Sequence, residues 1–329
     1  MGGWLDELRR HEETATWLGV LDDAPELAAP VELPRGADAV ARLLEIGVPH
    51  EDVNPMLAAA PVPGTDAWWV LERSVALVLG ELGEVRTPPR LPRLDDGVAP
   101  VERYLYAWVY AACVPALRRW HAERRIDGAI TTASLVDVGR QMVHTRRRQG
   151  TGGLCENTAW PGFTLGGSLV QLGRLQFERT RVGRTTAAEM TASGRPTEPG
   201  TPVLGVHVPD FSGPLDPAEC DASFALARGF FAEHFPEERY DVAMCHSWLL
   251  APQLADYLPA SSNVLAFQRR FTVTQRDGEP HDDSFFTFVF GRPAGDIDSL
   301  PQDTAVQRAL VAHLRSGEHW HDGHGWLAL

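Results

Sequence analysis

The sequence predicts an α+β protein, in which a helical N-terminal domain precedes a mixed, mostly antiparallel sheet flanked by helices. Two observations predict this class. Through residue 83 the apolar side chains recur at helical spacing, whereas from residue 159 onward the pattern changes to strand-like alternation. Residues 84–97 contain three prolines and three arginines and are typical of a linker. We therefore expect two domains, at residues 1–97 and 98–329.

The helices are expected mainly in the first half of the chain. Trp4, Leu5 and Leu8 begin an apolar stripe on successive turns. We expect further helices at residues 37–46, 66–82, 101–125 and 133–148. Pro115 should kink the helix that contains it. Three consecutive arginines at residues 146–148 suit a helix C-terminus.

The strands are expected after a break in the chain at the glycines of residues 150–153. Alternation of apolar and polar side chains predicts strands at residues 159–165, 168–180, 202–209, 241–247, 264–274 and 284–291. Between them we expect helices at residues 216–235 and 249–258, a polar loop at 185–199 and a turn at 277–280. The C-terminal residues 319–324 are expected to form a solvated tail.

The charged residues exclude several classes of protein. The chain has 329 residues with 44 acidic and 30 basic side chains, a formal net charge of −14. Because the sequence contains no lysine, every basic residue is an arginine. Pyridoxal-phosphate and Schiff-base enzymes, P-loop proteins and protein kinases need a lysine, so they are excluded in their usual form. The acidic balance opposes a nucleic-acid binder, which needs a basic face.

Cysteine usage and hydropathy bear on the compartment. The sequence contains no apolar run near the roughly 20 residues that a membrane-spanning helix needs. Its first residues lack the basic start and apolar core of a signal peptide. The four cysteines show no CxxC spacing, which indicates neither a zinc site nor a thioredoxin motif. We expect a cytoplasmic protein that acts without a membrane, a nucleic acid or a bound metal.

From residue 133 onward the order is one helix, three strands, a helix, a strand, a helix and two strands. This order resembles the GNAT superfamily of acyl-CoA-dependent N-acyltransferases. Several sequence segments are similar to those of actinobacterial acyltransferases that pair a small helical N-terminal domain with a GNAT-like C-terminal domain. These segments are GRLQFER, HVP…GPLDP and CHSWLL…YLP…SSNV…FQRRF. The resemblance implies that the helix at 216–235 holds the CoA pyrophosphate at its N-terminus. It also implies that the strand at 241–247 splays from the strand at 202–209 to admit pantetheine.

The resemblance implies transfer of an acyl group from acyl-CoA, or from an acyl carrier protein, to an amine of a small molecule or peptide. The amine would attack the thioester directly, with acyl-CoA as a cosubstrate and no permanently bound cofactor. Two alternatives remain open on the same fold. One is a transacylase or thioesterase that depends on a cysteine and a histidine, and the other is a binding module without catalysis.

The loop that should hold the pyrophosphate departs from the superfamily signature Q/R-x-x-G-x-G/A. The residues expected to contact CoA here are Val206, Val208, Phe211, Ser212, Gly213 and Leu215. Pro214 and Pro217 remove two amide donors, and Asp210 and Asp216 repel a phosphate. The loop therefore either binds CoA or only starts a helix. In a chain without lysine the 3′-phosphate of CoA would rest on arginine, with Arg174, Arg269 and Arg270 as candidates.

Four residues are candidates for the chemical steps. His207, in the middle of a predicted strand, is either a general base for the attacking amine or a histidine satisfied within the sheet. Cys245 is either a nucleophile activated by His207 or a small core residue. Ser247 is a candidate proton donor. The resemblance implies that Tyr257 protonates the departing thiolate, although its position is two or three residues late.

Four further residues are expected to contact the substrate. His246 and Trp248 flank Ser247 at the end of a predicted strand. Glu156 and Trp160 lie in the glycine-rich entry to the sheet, where substrate loops are common. Three histidines and an aspartate fall within residues 319–324, but a terminal segment rarely holds a closed site, so we predict no metal there.

Overall fold

The structure is a computed structural model that describes residues 4–94, 100–275, 280–292 and 294–329. It confirms the predicted α+β class. By internal contacts the chain forms two compact units, Met1–Val170 and Gln171–Leu329. The expected boundary between residues 97 and 98 lies outside the described residues. The contact division falls after Val170, and the helix at Pro100–Glu123 contributes buried residues to the core of the first unit.

Apart from the first two residues of a strand at its end, the regular elements in the described residues of the first unit are helices. They are α1 (Trp4–Leu8), α2 (Glu12–Asp22), α3 (Gly36–Glu45), α4 (His50–Ala58), α5 (Asp66–Gly80), α6 (Pro100–Glu123), α7 (Gly128–Leu135), α8 (Asp137–Gln149) and α9 (Pro161–Leu165). Helix α5 begins where the Thr65 hydroxyl accepts from Trp68 N at 3.3 Å, and the Asp127 carboxylate caps α7 in the same way. Pro115 lies inside α6, which continues past it.

Helix α6 is the centre of the helical core. Four of its aromatic side chains, Tyr104, Tyr106, Trp108 and Tyr110, are buried, and the polar end of each has a hydrogen-bond partner. The Trp108 indole donates to Met56 O at 3.0 Å, and the Tyr106 hydroxyl donates to Pro92 O at 2.7 Å. These bonds let large aromatic rings be buried without an unpaired donor.

A buried ion pair ties α4 to α8 in the same unit. The Asp52 side chain is 1 % exposed, and its Oδ1 accepts from Arg146 Nη2 at 2.6 Å and from the Tyr104 hydroxyl at 2.8 Å. Burial of the Tyr104 hydroxyl raises its pKa well above the usual value, and the hydrogen bond to the Asp52 carboxylate raises it further. Asp52 therefore carries a buried negative charge, and its pairing with Arg146 offsets the cost of burying it.

The second unit is built on a six-stranded sheet in the order β1-β2-β3-β4-β6-β5. The strands are β1 (Leu169–Leu172), β2 (Leu175–Arg181), β3 (Pro202–His207), β4 (Val242–Ser247), β5 (Thr272–Gln275) and β6 (Gly323–Ala328), and β1 spans the division between the units. Strands β3 and β4 are parallel, whereas β2 with β3, β4 with β6, and β5 with β6 are antiparallel. The sheet is therefore mixed and mostly antiparallel, as predicted.

Helices and short turns complete the second unit. They are α10 (Arg184–Ala192), α11 (Pro217–His234), α12 (Asn263–Gln268), α13 (Asp282–Phe285), α14 (Ala305–Arg315), 3-10 turns at Trp248–Leu250, Pro252–Asp256 and Ile297–Ser299, and a π-helix at Phe286–Phe290. The predicted helix at 216–235 is confirmed as α11, whereas the one at 249–258 is two 3-10 turns. Within the described residues no helix is both long and apolar enough to cross a membrane.

Two predicted strands are wrong because their buried residues do not alternate. At residues 159–165 the chain forms α9, whose buried Pro161, Gly162, Thr164 and Leu165 follow helical spacing. At residues 284–291 it forms α13 and the π-helix. There Phe285 packs in one cluster with Leu310 and Trp320, and Phe286 packs in another with Leu300 and Val311.

Three other expectations for the second unit are corrected. The loop at 185–199 contains α10, whose Ala187 and Met190 pack against Val203 and Val242. The first half of the strand at 264–274 is α12, and the strand at 168–180 is the hairpin of β1 and β2. The expected tail at 319–324 is held in place, since Trp320 is fully buried and β6 begins at Gly323. Most of the predicted turn at 277–280 lies outside the described residues.

Candidate active site

The candidate site lies where the two parallel strands of the sheet separate. The ladder between β3 and β4 pairs Leu204 with Ala243 and Gly205 with Met244, and it ends there. Both strands continue, β3 to His207 and β4 to Ser247. The ladder therefore ends in the part of β3 and β4 where the resemblance implies that the strands splay. A cleft between two strands leaves backbone groups and side chains available to a ligand that inserts there.

His207 is held by a carboxylate on the neighbouring strand. Its Nε2 lies 2.8 Å from Glu178 Oε2, and the two side chains are 30 % and 16 % exposed. The antiparallel register of β2 and β3 places Gln176 opposite His207 and Glu178 opposite Gly205, so the pair is diagonal across the ladder. Because a carboxylate accepts, Nε2 carries the proton and Nδ1 is the basic nitrogen.

Gly205 provides the room for this pair. A methyl group at its Cα would lie 3.3 Å from Glu178 Oε2 and 3.4 Å from His207 Nε2. These separations are tighter than ordinary van der Waals contact, so any larger residue would push on both partners. Glu178 and Gly205 are site residues that sequence reasoning missed. The alternation at residues 175–181 indicated that Glu178 lies on a strand. It did not indicate the strand register that brings Glu178 to His207.

The loop between β3 and α11, which should hold the CoA pyrophosphate, has an unusual backbone. Phe211 has φ +61° with its ring half exposed, and Gly213 has φ +80°. Val206 is buried in β3, while Val208, Ser212 and Leu215 are partly exposed along the loop. A non-glycine residue in the left-handed region costs energy and is enriched at ligand sites.

Arg174 contacts this loop at three points. The side chain starts from the β1–β2 turn and is buried, and its guanidinium donates to the carbonyls of Pro209, Gly213 and Pro214 at 3.1, 3.1 and 2.9 Å. Its own backbone N–H donates to Ser223 Oγ on α11 at 2.8 Å.

The other two arginine candidates for the 3′-phosphate also contact protein groups. Arg270 donates to Asp221, Ala266 O and Pro217 O. Arg269, on the exposed face, donates to Ala260 O.

The first amides of α11 are capped by the chain itself. Asp216 Oδ1 accepts from Ala218 N at 2.9 Å and from Glu219 N at 3.2 Å. This cap satisfies the helix donors that the resemblance assigned to the pyrophosphate. A pyrophosphate here therefore relies on the loop before α11 more than on the helix terminus.

Cys245 has the surroundings of a core residue. It is 3 % exposed and pairs with Gly325 in the ladder between β4 and β6, and burial raises the pKa of its thiol to about 12. A thiol with this pKa is almost entirely protonated at neutral pH, which opposes a role as nucleophile. Ser247 Oγ accepts from Leu249 N at 3.1 Å and so caps the 3-10 turn after β4.

His246 and Trp248 lie beside these residues but face different surroundings. The His246 side chain is 55 % exposed, its Nε2 is 3.9 Å from Asp322 Oδ2, and its ring meets His324 edge to face across the β4–β6 ladder. Trp248 packs edge to face on Phe285, with ring centroids 5.9 Å apart. His246 is thus the more accessible of the two to a ligand.

The Tyr257 hydroxyl donates a hydrogen bond to His313. The Tyr257 oxygen lies 3.0 Å from His313 Nδ1, and His313 Nε2 lies 3.1 Å from the His319 carbonyl oxygen. A carbonyl only accepts, so Nε2 carries the ring proton and Nδ1 accepts from the tyrosine. His313 is a second residue that the sequence did not single out, because it looks like any polar position on α14.

Glu156 and Trp160 belong to the helical unit. Glu156 accepts from Gln149 Nε2 at 2.8 Å and lies within 4 Å of Arg93 and Arg148. Trp160 immediately precedes α9 and packs against Phe163 at 5.2 Å between centroids. Their contact with substrate stays a prediction. Within the described residues, no three His, Cys, Asp or Glu side chains are arranged to hold a metal ion.

Two family models match the chain in succession. A model described as an N-acyltransferase N-terminal domain matches residues 37–162, and one described as a GNAT-like C-terminal domain matches residues 169–327. No curated protein matches it. The first matched segment lies within the first compact unit, and the second begins at residue 169, two residues before the second unit starts at Gln171.

Solved structures of acyltransferases are similar over nearly the whole length. One, in complex with decanoyl-CoA and teicoplanin, is 38 % identical, covers 98 % of this chain and 99 % of that chain, and has a TM-score of 0.89. A mutant acyltransferase in complex with octanoyl-CoA gives the same four values. A third, in complex with decanoyl-CoA, is 35 % identical with full coverage of both chains and a TM-score of 0.87.

Proposed function

The chain belongs to the acyl-CoA-dependent acyltransferases that join an N-acyltransferase N-terminal domain to a GNAT-like C-terminal domain, and we propose that it acylates an amine of a glycopeptide with a medium-length acyl group. The observation that supports this substrate class is the similarity, over 98 % of the chain, to an acyltransferase in complex with decanoyl-CoA and teicoplanin. The negative net charge suits an acceptor that carries a protonated amine.

In the proposed mechanism His207 is the general base. Its Nε2–H is held by Glu178, so the unprotonated Nδ1 accepts a proton from the acceptor ammonium, directly or through a water. The freed amine attacks the thioester carbonyl and a C–N bond forms. As the tetrahedral intermediate collapses, the C–S bond breaks, the sulfur leaves as a thiolate, and the nitrogen releases its second proton to solvent, which also returns a proton to the acid that protonates the thiolate. Glu178 keeps the ring in one tautomer and stabilises the imidazolium that forms.

The departing thiolate needs a proton, and Tyr257 is the proposed donor. Because its hydroxyl hydrogen is directed at His313, donation requires the hydroxyl to turn away from that ring. The separation of β3 and β4 is the proposed entry for pantetheine, with the diphosphate on the loop of residues 209–215. His246, Trp248, Glu156 and Trp160 are the proposed acceptor contacts. An acyl carrier protein remains an alternative donor, because it presents the same pantetheine thioester.

We place the enzyme in the cytoplasm, without a nucleic-acid or membrane partner. All four cysteines are buried and unpaired, as is usual in a reducing compartment. The low share of basic residues supports the absence of nucleic acid from the proposed partners.

The test combines product analysis with two histidine variants. The purified chain is incubated with decanoyl-CoA and teicoplanin, and the expected product carries one added acyl amide by mass spectrometry. His207→Ala should lower kcat by about 10²–10⁴. His246→Ala is the matched control, because it also removes an imidazole beside the cleft and should mainly change KM for the acceptor.

Failure of the wild-type chain to acylate any glycopeptide, with decanoyl-CoA consumed on other amines, would reject the acceptor class. A full loss in His246→Ala with little change in His207→Ala would move the base to the other histidine. Glu178→Gln should fall between wild type and His207→Ala, since an amide still orients the ring but does not stabilise its charged form.

A further inference from the structure

The β1–β2 turn brings one buried arginine to the loop before α11. Gly173 at the turn has φ +64°, and a side chain there would collide with Ser223 Oγ on α11 at 2.7 Å. The turn is thereby held against α11, and the next residue, Arg174, extends under the loop. Its side chain is a built part of the fold, since it is 9 % exposed despite its charge.

The loop requires an outside donor for its carbonyls. Pro209, Pro214 and Pro217 have no N–H, so few local amides can bond the carbonyl oxygens of this segment. The planar guanidinium supplies several donors in a fixed arrangement and spans both ends of the loop, at Pro209 and at Gly213–Pro214. A single side chain therefore fixes the loop's two ends at a set separation.

The same bonds set the direction of the loop amides. In a trans peptide unit the C=O and the N–H point in opposite directions. Because the carbonyls of Pro209 and Pro214 point to the guanidinium, the N–H groups of Asp210 and Leu215 point away from it. The buried positive charge also offsets two aspartates, Asp210 within the loop and Asp216 directly after it.

We propose that Arg174 is a positioning residue for the diphosphate of acyl-CoA. It does not touch the ligand. It holds the loop of residues 209–215 with the N–H groups of Asp210 and Leu215 directed away from the guanidinium and compensates the local negative charge, so that a diphosphate meets an ordered surface. This inference rests on the proposed function, because it assigns the loop to the acyl-CoA donor.

The experiment compares three arginine variants and uses two acyl donors. Arg174→Met should raise KM for decanoyl-CoA and the dissociation constant of CoA by about tenfold or more, because the loop must then be ordered during binding. The value of kcat at saturating donor should change little. With the decanoyl thioester of N-acetylcysteamine, which has no diphosphate, Arg174→Met and wild type should give similar KM values.

Arg179→Met is the matched control. Arg179 is also a buried arginine, on β2, but the bonds of its guanidinium to the Tyr240 hydroxyl and to Glu238 Oε2, both at 3.1 Å, are not to the loop of residues 209–215. It should lower the melting temperature about as much as Arg174→Met without the loss of CoA affinity. Arg174→Lys keeps the charge but places one ammonium where three carbonyls need donors, so it should still lose most of the affinity.

The outcomes separate the two levels of the argument. Equal losses with decanoyl-CoA and with the truncated thioester would show a general defect and overturn the positioning role. Unchanged CoA affinity in Arg174→Met and Arg174→Lys would overturn it as well. A wild-type chain that binds no CoA would reject the proposed function and this inference with it.

Discussion

His207 and Cys245 lie on neighbouring strands, yet their surroundings assign them different chemistry. His207 is partly exposed and bonded to a carboxylate, whereas Cys245 is enclosed and its thiol pKa is raised to about 12 by burial. Direct attack by an amine needs the first group only. A covalent route needs a thiolate, which this burial strongly disfavours.

We therefore expect Cys245→Ala to keep acyltransferase activity near that of the wild type. The lost packing should lower the melting temperature slightly, because a small buried side chain is removed. Steady-state kinetics with decanoyl-CoA check the activity. In parallel, Cys245 should resist iodoacetamide at pH 8 in the folded chain, since its thiol stays protonated below a pH of about 12. Loss of activity in a folded Cys245→Ala protein, or a trapped acyl-cysteine, would instead favour the transacylase or thioesterase alternative.

At the scale of the element, strand β3 has room for the pair of His207 and Glu178 because Gly205 has no side chain. Gly205 lies beside both Glu178 and His207, within 3.4 Å of the pair if a Cβ is added. Gly205→Ala should displace one of these partners by a few tenths of an ångström and lower kcat, because positioning of the base is sensitive to small shifts. Kinetics at saturating substrate measure this effect.

Gly229→Ala is the control for that substitution. Gly229 lies on the exposed face of α11, and an added Cβ there meets nothing within 4 Å. Alanine should stabilise the helix by about 0.5–1 kcal/mol and leave kcat unchanged. Equal effects of the two substitutions on kcat would contradict the role given to Gly205.

The elements that sequence patterns predicted well are those with a marked boundary. Helix α11 begins after Asp216 with a proline in its first turn, and both signals are local. The strand predicted at residues 284–291 is wrong because the conformation there follows from the packing of Phe285 and Phe286 against other segments. The local alternation of apolar and polar residues does not determine it.

The candidate site shows the same limit. His207 and the loop at 209–215 could be singled out, since strand position and a glycine beside prolines are visible in the sequence. Glu178 could not, because its contact with His207 depends on strand register. Arg174 was singled out for the 3′-phosphate, but its bonds to the loop were not predicted, because they depend on where a turn meets a distant loop. Both are long-range facts that a single sequence does not contain.

At the scale of the whole molecule, stability depends on a few buried charges. The Asp52 carboxylate is enclosed in the helical unit and paired with Arg146, whose side chain is one-third exposed. Arg146→Met should lower the free energy of unfolding by about 3 kcal/mol, the low end for breaking a buried pair, since water still reaches part of this side chain. Urea denaturation measures the change.

Two further variants test that explanation. Asp52→Asn in the Arg146→Met background should recover part of the loss, because it removes the orphaned carboxylate. Arg9→Met breaks an exposed pair with Asp6 and should change stability by less than about 1 kcal/mol. If the double variant recovers no stability, the lower free energy of unfolding of Arg146→Met comes instead from lost packing of the arginine side chain.

Every cation in the ion pairs of this protein is a guanidinium or an imidazole, since the chain has no lysine. For an enzyme that handles activated acyl thioesters this has a chemical consequence. Thioesters react slowly with unhindered primary amines even without catalysis, and a lysine near the cleft would be an unintended acceptor held at high effective concentration. A chain without side-chain amines cannot be consumed in this way, so the acyl group is reserved for the amine that is brought to it.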